Sequence, residues 1–449
     1  MNLVSLLRGL LGLLLILGIA VLFSNNRRRI NWRLVGMGVL IQVVFAVFIL
    51  YADRLRAWFA PLGWPKAVIS WLGGAIVSLL NFTTEGSKFV FGRLAVNSGP
   101  DSLGVYFAFQ VLPTIIFVAT LTSVLYYLGI LQAVVKGMAW LMAKLMGTSG
   151  AESLSNTANI FVGQTEAPLL VKPYIGTMTN SEILTIMVGG MATIAGGVMA
   201  AYIQMLGQAM ADVQNIPLAE AQVRFAVQLL AASCMAAPAG LLISKILFPE
   251  TGTPATRGKV NLKVEKNADN VIEAAATGAG DGMMLALNVG AMLIAFIAGI
   301  ALLNYLLLGL GDLLGVNASL AKQFGQPLSL QLVFGVVLRY LAIGIGVPAA
   351  DAFHFGSLMG TKVVLNEFVG YIDLVGLIKQ GAMSAKGITM ATYAMCGFAN
   401  FSSIAIQIGG IAPMAPHRKK DIAALGLKAV LGGSLATLMT ATLAGILLG

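Results

Sequence analysis

Residues 161–174, FVGQTEAPLLVKPY, place a glutamine, a threonine and a glutamate side by side in a chain that is otherwise strongly apolar. The ionisable residue is Glu166. A charged side chain at membrane depth costs about 2.5–3.5 kcal/mol on insertion scales, so it is kept where it faces a cavity or a partner. In a membrane protein, this stretch therefore predicts a polar site inside the bilayer.

The composition assigns the chain to the membrane class. Of 449 residues, 58% are hydrophobic and 10% are charged, and the mean hydropathy is +0.88. Soluble domains carry about 25% charged residues, so this chain lacks the polar surface that water requires. Apolar segments of about 20 residues recur along the chain, which indicates helical spans and not a β-barrel. We predict an all-α polytopic membrane protein with about eight transmembrane helices.

The net charge of +10 comes from short basic clusters between the apolar runs, at 25–33, 256–266 and 417–420. Such clusters keep cytoplasmic loops positive and so orient the spans. No basic stripe with interleaved aromatic residues is present, and nucleic acid is not a predicted partner. The apolar run 3–23 lacks the charged start and the cleavage site of a signal peptide. We interpret it as a retained first span, with both chain termini outside the cell.

The remaining apolar runs divide into complete and interrupted spans. Complete spans are predicted at 34–51, 111–134, 222–247, 284–308 and 422–448. Residues 52–100 are too polar to cross in this interpretation, and their Trp and aromatic residues predict amphipathic helices at the membrane surface. We expect a loop at 97–102 and an outer surface helix within 311–328.

Two tracts are too broken by Gly, Pro and polar residues to form single spans. These are 136–175 and 333–380, and each predicts a re-entrant hairpin, which needs protein or a water-filled cavity around its turn. A Gly-interrupted apolar helix follows each tract, at 182–206 and 388–410. The chain thus contains two hairpins and two broken helices.

These interrupted elements form an internal repeat. Glu166 in the first hairpin corresponds to Glu367 in the second, 201 positions later, and the dipeptide IQ at 203–204 recurs at 406–407. The positions of the basic clusters predict that the two halves have opposite topology. Inverted repeats with broken helices are typical of secondary transporters, whose site lies at the repeat interface near the midplane. The predicted division is a scaffold at 1–110, a first repeat at 111–250, a basic cytoplasmic linker at 251–283 and a second repeat at 284–449.

The polar residues of the two repeats lie at matching places. They are Asn159, Gln164, Thr165, Glu166 and Thr193 in the first half, and Asn366, Glu367, Asn400, Ser402 and Ser403 in the second. Amides, hydroxyls and carboxylates without a nearby Arg or Lys suit a neutral ligand rich in hydroxyl and amide groups. Oxygen atoms of Asn, Thr and freed carbonyls suit a small hard cation. For Ser402 a hydrogen bond between helices is the simpler interpretation.

Other chemistries have weaker support. Cys234 and Cys396 both lie in apolar segments and are interpreted as buried free thiols. His417, beside RKK, is interpreted as a solvated loop residue, and no role is assigned to His354. The stretch GAGDG at 278–282 contains the Gly-x-Gly-Asp pattern of intramembrane aspartyl proteases, but Asp281 is better explained as a helix-start residue that enters the span at 284. A protease and a passive channel remain remote alternatives, and no enzyme is predicted.

Three ordered motifs resemble those of one transporter family. GQTEAP at 163–168, GTKVVLNEFV at 360–369 and CGFANFSSIAIQIGG at 396–410 are similar to signatures of the concentrative nucleoside transporter family. The similarity extends over residues 30–449, and the small number of N-terminal spans resembles prokaryotic members. The resemblance implies a cell-membrane symporter of nucleosides such as uridine, assembled as a homotrimer with a scaffold and a mobile transport domain.

The resemblance also implies roles for individual residues. The nucleobase would contact Gln164, Thr165, Glu166 and Val198, and the ribose hydroxyls would contact Glu367, Asn400 and Ser403, with Phe398 packed on the ligand. A sodium ion would be held by Asn159, Val162, Thr193 and Ile194, two of them through backbone carbonyls. Sodium is the favoured coupling ion and the proton is the alternative, in which a glutamate changes protonation during transport. Apart from the coupling ion no cofactor is expected, and no ligand role is assigned to Lys362.

Overall fold

The computed structural model describes residues 3–96, 103, 106–258 and 268–448. Within these ranges the chain is helical, and the only extended pairing is an isolated bridge between Ser149 and Arg257. The predicted loop at 97–102 and residues 259–267 of the predicted linker lie outside the described residues. The prediction of an all-α chain is confirmed.

Twenty α-helices lie in the described part of the chain. The N-terminal group is α1 (Leu3–Leu22), α2 (Trp32–Leu50), α3 (Ala52–Trp58), α4 (Trp64–Phe91) and α5 (Phe107–Gln110). The next group is α6 (Leu112–Tyr127), α7 (Ile130–Met146), α8 (Gly150–Ala158), α9 (Lys172–Ile175), α10 (Asn180–Ala192), α11 (Gly196–Gln214) and α12 (Leu218–Leu247). The last group is α13 (Val271–Leu313), α14 (Asn317–Phe324), α15 (Leu330–Gly344), α16 (Ala352–Val364), α17 (Glu367–Lys379), α18 (Ala385–Met395), α19 (Phe401–Ile411) and α20 (Lys419–Leu447).

Eight helical segments of the described chain are long and apolar enough to cross a membrane. Their burial separates an inner from an outer set. In the segments at 180–214, 218–247 and 416–447 most of the apolar window is buried, 83% to 89%, whereas the value is 11% in the segment at 271–313. The core is therefore built by α10, α11, α12 and α20, and α13 exposes most of its surface toward the surroundings.

The structure corrects the expectation for residues 52–100. Most of this stretch is one 28-residue helix, α4, and the segment at 60–95 is long and apolar enough to span. The polar residues that suggested a surface position are concentrated near the ends of the stretch, so averaging over the whole stretch concealed its apolar middle. α4 still buries one stripe, formed by Gly73, Val77, Leu80, Thr83 and Ser87.

Both hairpins are shorter than predicted. The helix α7 ends at Met146 and is capped by Gly147, a left-handed residue with φ of 72°, and the first hairpin begins afterwards with α8. Its return arm is a 3₁₀ helix at Ala167–Val171 followed by α9. Likewise α15 precedes the second hairpin, which consists of α16 and α17. Helices α7 and α15 are separate because a turn closes each one before its hairpin starts.

The order of elements repeats in the two halves. A helix, a hairpin, a broken helix and a long helix follow one another from α7 to α12 and again from α15 to α20. This supports the predicted duplication. The opposite orientation of the halves and the division into scaffold and transport domains stay predictions.

Both predicted breaks are present, and they touch each other. The first separates α10 from α11 at residues 193–195, and the second separates α18 from α19 at residues 396–400. Gly397 lies so close to the first break that an added Cβ would be 2.7 Å from the Met191 carbonyl oxygen and 2.9 Å from the Ala192 carbonyl carbon. Only glycine permits this contact, since the neighbours are backbone atoms that cannot rotate away.

We expect Gly397→Ala to destabilise the protein by about 2 kcal/mol, because the methyl group overpacks the crossing of the two breaks. The matched control is Gly409→Ala in α19, where an added Cβ meets nothing within 4 Å and better helix propensity makes the change neutral or favourable. Thermal unfolding in detergent measures both variants. Equal melting temperatures would contradict the close contact at Gly397.

The helix α13 begins earlier than predicted. It starts at Val271, where the Asn270 side chain accepts a hydrogen bond from the Glu273 backbone N–H at 2.9 Å. The predicted cytoplasmic linker at 251–283 is therefore helical from residue 271 onward. Asp281 lies inside the helix and not at its start, so the interpretation of that residue as a helix-start residue is wrong.

The structure places basic residues of the three clusters at one end of the molecule. Asn25 N–H donates to the Leu247 carbonyl at 3.0 Å, and Ser181 Oγ donates to the Phe248 carbonyl at 2.7 Å. Arg418 Nη2 donates to Asn180 Oδ1 at 2.6 Å. Loops 25–33, 248–258 and 412–418 thus share one end, as expected for cytoplasmic loops.

A buried ion-pair network fixes the first hairpin at that same end. Lys245 Nζ lies 2.7 Å from Glu152 Oε2 of α8 and 3.4 Å from Glu250 Oε2. Burial disfavours the charged form of Glu250, but the Lys245 ammonium together with hydrogen bonds from Thr179 and Gly252 outweighs this effect and lowers the pKa of the Glu250 carboxyl below its ordinary value. The network joins α8 and α12 and thereby fixes the first helix of the hairpin against α12.

Candidate functional site

A cavity of about 140 Å³, with both polar and apolar lining residues, lies where the hairpins and broken helices meet. All eight residues predicted to bind substrate line it, which are Gln164, Thr165, Glu166, Val198, Glu367, Phe398, Asn400 and Ser403. It shares Gly163, Glu166, Ala195 and Leu285 with an adjoining cavity of about 800 Å³. The structure therefore brings the predicted residues of both repeats into one cavity beside a larger opening.

Contacts across the cavity are reciprocal between the repeats. The first hairpin bonds to the second broken helix, because Gln164 Nε2 donates to Ser403 Oγ at 3.2 Å. The second hairpin bonds to the first broken helix, because the Tyr202 hydroxyl donates to Glu367 Oε1 at 3.0 Å. Each hairpin is thus held by the partner repeat, and the cavity lies at the repeat interface.

Glu367 is the most firmly held acid in the cavity. It is the first residue of α17, whose preceding residue Asn366 caps the helix by accepting from Val369 N–H at 2.9 Å. The free N–H groups and positive dipole end of a helix favour a carboxylate at that position. Tyr202 and Asn400 donate to its two oxygens, each at 3.0 Å. Each oxygen keeps a second lone pair for a donor from a ligand.

Asn400 links this carboxylate to the second broken helix. Its Oδ1 accepts from Ser403 N–H at 2.8 Å and so caps α19, while its Nδ2 faces Glu367. Ser402 Oγ also donates to Asn400 Oδ1, at 2.7 Å. Ser402 therefore bonds locally and not between helices as expected, since the cap oxygen is the nearest acceptor.

Gln164 is oriented by a second glutamine. Gln407 Nε2 donates to Gln164 Oε1 at 3.1 Å and to the Met187 carbonyl at 2.9 Å. Because Gln164 Nε2 also donates to Ser403, both ends of the amide are engaged and the side chain has one orientation. This arrangement connects the first hairpin to α10 and α19 together.

Glu166 differs from Glu367 in its surroundings. It is exposed and lines both cavities, whereas Glu367 is only 5% exposed. Its carboxylate turns back over Gly163, where an added Cβ would lie 2.1 Å from Glu166 Oε2. Thr165 packs against Gly410 at the end of α19. The first hairpin thus presents an exposed carboxylate to both cavities.

Apolar side chains close the rest of the cavity. Val198 lies in the first turn of α11, and Phe398 lies in the break before α19. Leu285, Val289, Met292 and Leu293 of α13 face them from the opposite wall. A planar apolar group can pack here while polar groups at the rim bond to the polar side chains.

The four predicted cation ligands come from two touching elements. Asn159 and Val162 lie at the turn of the first hairpin, and Thr193 and Ile194 lie in the break after α10. Gly196 N–H donates to the Phe161 carbonyl at 3.2 Å and joins the two elements. Among the described residues, none donates to the buried Asn159 Oδ1. A buried acceptor without a donor fits an oxygen-preferring cation such as sodium.

Three residues of the site were not assigned to it from the sequence. Tyr202 and Gln407 orient Glu367 and Gln164, and Asn366 caps α17. Asn366 was visible among the repeated polar residues, and Gln407 belongs to the repeated IQ dipeptide. Tyr202 gave no signal beyond its position next to that dipeptide.

The remaining polar candidates lie elsewhere. His354 is in the first turn of α16 and does not line the cavity. His417 is exposed and hydrogen-bonded to the Gly176 carbonyl at 3.2 Å. Cys234 and Cys396 are buried free thiols, as predicted.

Comparisons with known proteins agree along the whole chain. Family models described as the N- and C-terminus of the Na⁺-dependent nucleoside transporter match residues 11–94 and 228–445, and a gate model described as nucleoside recognition matches 108–209. An uncharacterised transporter of Haemophilus influenzae is 46% identical over 99% of this chain and 98% of its own length. The nucleoside permease NupC of Helicobacter pylori is 40% identical over 99% and 98%. The structure of CNTnw in an inward-facing substrate-bound state is 41% identical, covers 99% of both chains and superposes with a TM-score of 0.84.

Proposed function

The chain belongs to the concentrative nucleoside transporter family, and on that premise we propose that it is a cation-coupled symporter that moves nucleosides into the cell. The observation that carries this function is the cavity at the repeat interface, whose polar lining residues come from the two hairpins and the second broken helix. A site at such an interface suits alternating access and not an open pore. The protein is a transporter and not an enzyme.

The chemistry of the cavity suits the two parts of a nucleoside. The oxygens of Glu367 can accept from two ribose hydroxyls, and Asn400 and Ser403 lie beside them. Gln164, Thr165 and Glu166 offer the acceptors and donors that the edge of a nucleobase requires. Val198 and Phe398 pack on the faces of the base. Uridine is the substrate that we propose for the first tests.

Sodium is the proposed coupling ion. The proposed ligands Asn159 and Val162 precede the base-binding residues by a few positions in the same turn, so an ion that orders the turn also orders Gln164. Sodium affinity and nucleoside affinity then rise together, because coupling between two sites is reciprocal. In the alternative, a proton replaces sodium, and a glutamate of the cavity carries it.

The proposed setting is the bacterial inner membrane, with both termini outside and three chains per assembly. The shared end of the three basic loops supports the cytoplasmic assignment of that end. Movement of the hairpins and broken helices against the N-terminal helices would carry the cavity across the membrane.

We expect purified protein in liposomes to accumulate radiolabelled uridine when an inward sodium gradient is imposed. A proton gradient without a sodium gradient is the matched condition, and liposomes without protein give the background. Accumulation under sodium alone supports the Asn159 site. Accumulation under protons alone would retain nucleoside symport and overturn the sodium site, and no uptake of any nucleoside by folded protein would contradict the function itself.

A further inference from the structure

Lys362 is a buried lysine with an unusual set of partners. Its side chain is fully buried, and Nζ donates to the Ala394 carbonyl at 2.7 Å and to Thr437 Oγ1 at 3.1 Å. Among the described residues, no carboxylate lies within ion-pair distance of it. An ammonium group is costly to bury without compensation, so these two oxygens and the local field must stabilise it.

The Ala394 carbonyl belongs to the broken end of a half-helix. Ala394 is the second-last residue of α18, and the break begins at Cys396. The last four carbonyls of a helix lack intrahelical partners and carry the negative end of its dipole. A positive charge at this point stabilises the break, and Lys362 supplies it from the second hairpin.

The first repeat has a neutral residue at the equivalent place. Asn156 and Lys362 are each third from the end of the first helix of their hairpins, α8 and α16. Asn156 Nδ2 donates to the Ala237 carbonyl at 2.7 Å, and Ala237 and Thr437 each lie ten residues before the end of α12 and α20. The two contacts therefore correspond across the repeat.

The first broken helix has no such built-in charge. In the described part of the chain, no lysine or arginine donates to the last turn of α10. The unpaired Asn159 Oδ1 and residues Thr193 and Ile194 lie at this end instead, which is where the coupling cation is proposed to bind. The proposed site of the exchangeable cation is thus at the C-terminal end of α10 in one repeat, and a lysine contacts the corresponding end of α18 in the other.

We propose that Lys362 is a tethered cation. Its ammonium group stabilises the broken end of α18 in the second repeat, as the exchangeable coupling cation stabilises the broken end of α10 in the first. It is a positioning residue: it holds the end of α18, and thereby the following Phe398 and Asn400, in the geometry that binds ribose. This inference rests on the proposed cation-coupled nucleoside transport and implies one exchangeable cation per nucleoside.

The first experiment counts charges in the unmodified protein. Uridine uptake by potential-clamped proteoliposomes is balanced against the imposed cation gradient, and the reversal potential gives the charge moved per uridine. We expect one charge. A value of two would overturn the proposal, because a second exchangeable cation would then exist beside Lys362. Absence of uptake of any nucleoside by folded protein would instead refute the proposed function.

The second experiment uses Lys362→Met and Lys362→Asn, with Lys379→Met as the control on the exposed end of the same hairpin. We expect Lys362→Met to bind uridine about tenfold more weakly even at saturating sodium. We expect Lys362→Asn, which copies the first repeat, to bind uridine with a sodium Hill coefficient that rises from one toward two. A folded Lys362→Met with unchanged affinity, or Lys362→Asn that binds uridine with an unchanged Hill coefficient, would overturn the tethered cation. If neither variant folds, the charge count decides.

Discussion

Replacement of Glu367 by glutamine is expected to weaken uridine binding about 100-fold. The carboxylate now accepts from Tyr202 and Asn400 and retains lone pairs for two ribose hydroxyls. Glutamine has a single acceptor oxygen, and its amide nitrogen would face one of these donors. Hydrogen bonds to charged groups contribute about 1.5–3 kcal/mol each, so loss of the carboxylate removes about 3 kcal/mol, which is about two orders of magnitude in affinity.

Isothermal titration of uridine into purified protein at saturating sodium measures this effect. The matched control is Glu220→Gln, at an exposed position at the start of α12. The thermal stability of Glu367→Gln should not fall in parallel, because the substitution also removes a buried charge. Uridine affinity within fivefold of the unmodified protein would exclude Glu367 from the ribose site.

The sequence predicted which segments are interrupted, and the reason is local. Gly-rich apolar runs at 182–206 and 388–410 differ visibly from complete spans, and the polar residues at the hairpin turns have no other explanation at membrane depth. The first and last residues of the hairpins were harder to predict from the sequence. A helix that ends before a hairpin and a helix that continues into it have similar composition. Only the left-handed conformation of Gly147 marks the end of α7.

The start of α13 was not predicted, for a different reason. Its first turns contain Glu273 and the stretch AAATGAGDG, which is too polar and Gly-rich for a membrane span but is compatible with a helix beyond it. The signal that marks the true start is Asn270 followed by glutamate three positions later. A search that considers only apolar spans does not detect such a helix N-cap.

The contacts that orient the site could not be predicted from the sequence. Tyr202 and Glu367 are 165 positions apart, and Gln164 and Gln407 are 243 apart. Each pair joins one repeat to the other, so the pairing depends on how the two hairpins pack and not on spacing within either repeat. Repetition identified the residues that contribute, but the three-dimensional crossing decides which of them bond.

Those cross-repeat contacts also explain how a cation could control nucleoside binding. The turn that carries Asn159 continues directly into Gln164, and Gln164 is held by Ser403 and Gln407 of the other repeat. Movement at the cation end of the turn is therefore transmitted to Gln164, whose side chain is hydrogen-bonded to the other repeat. The cation and the nucleoside then do not compete, because they bind different residues of one ordered segment.

Asn159→Ala is accordingly expected to raise the sodium concentration for half-maximal uridine binding about 30-fold. The substitution removes a buried acceptor oxygen that has no donor among the described residues, and loss of one charge-assisted ligand contact is worth about 2 kcal/mol. Titration of sodium at fixed uridine measures the shift, and uridine affinity at saturating sodium is the internal control, since the nucleoside contacts themselves are intact. Thr193→Val tests the same site from the break after α10 and should also raise the sodium requirement, because the Thr193 hydroxyl donates its proton to the Gly189 carbonyl at 2.9 Å and keeps its oxygen lone pairs for the ion. An unchanged sodium dependence in Asn159→Ala would remove the ion from this turn, and a loss of uridine affinity that no sodium concentration restores would show that Asn159 holds the fold of the hairpin and not the ion.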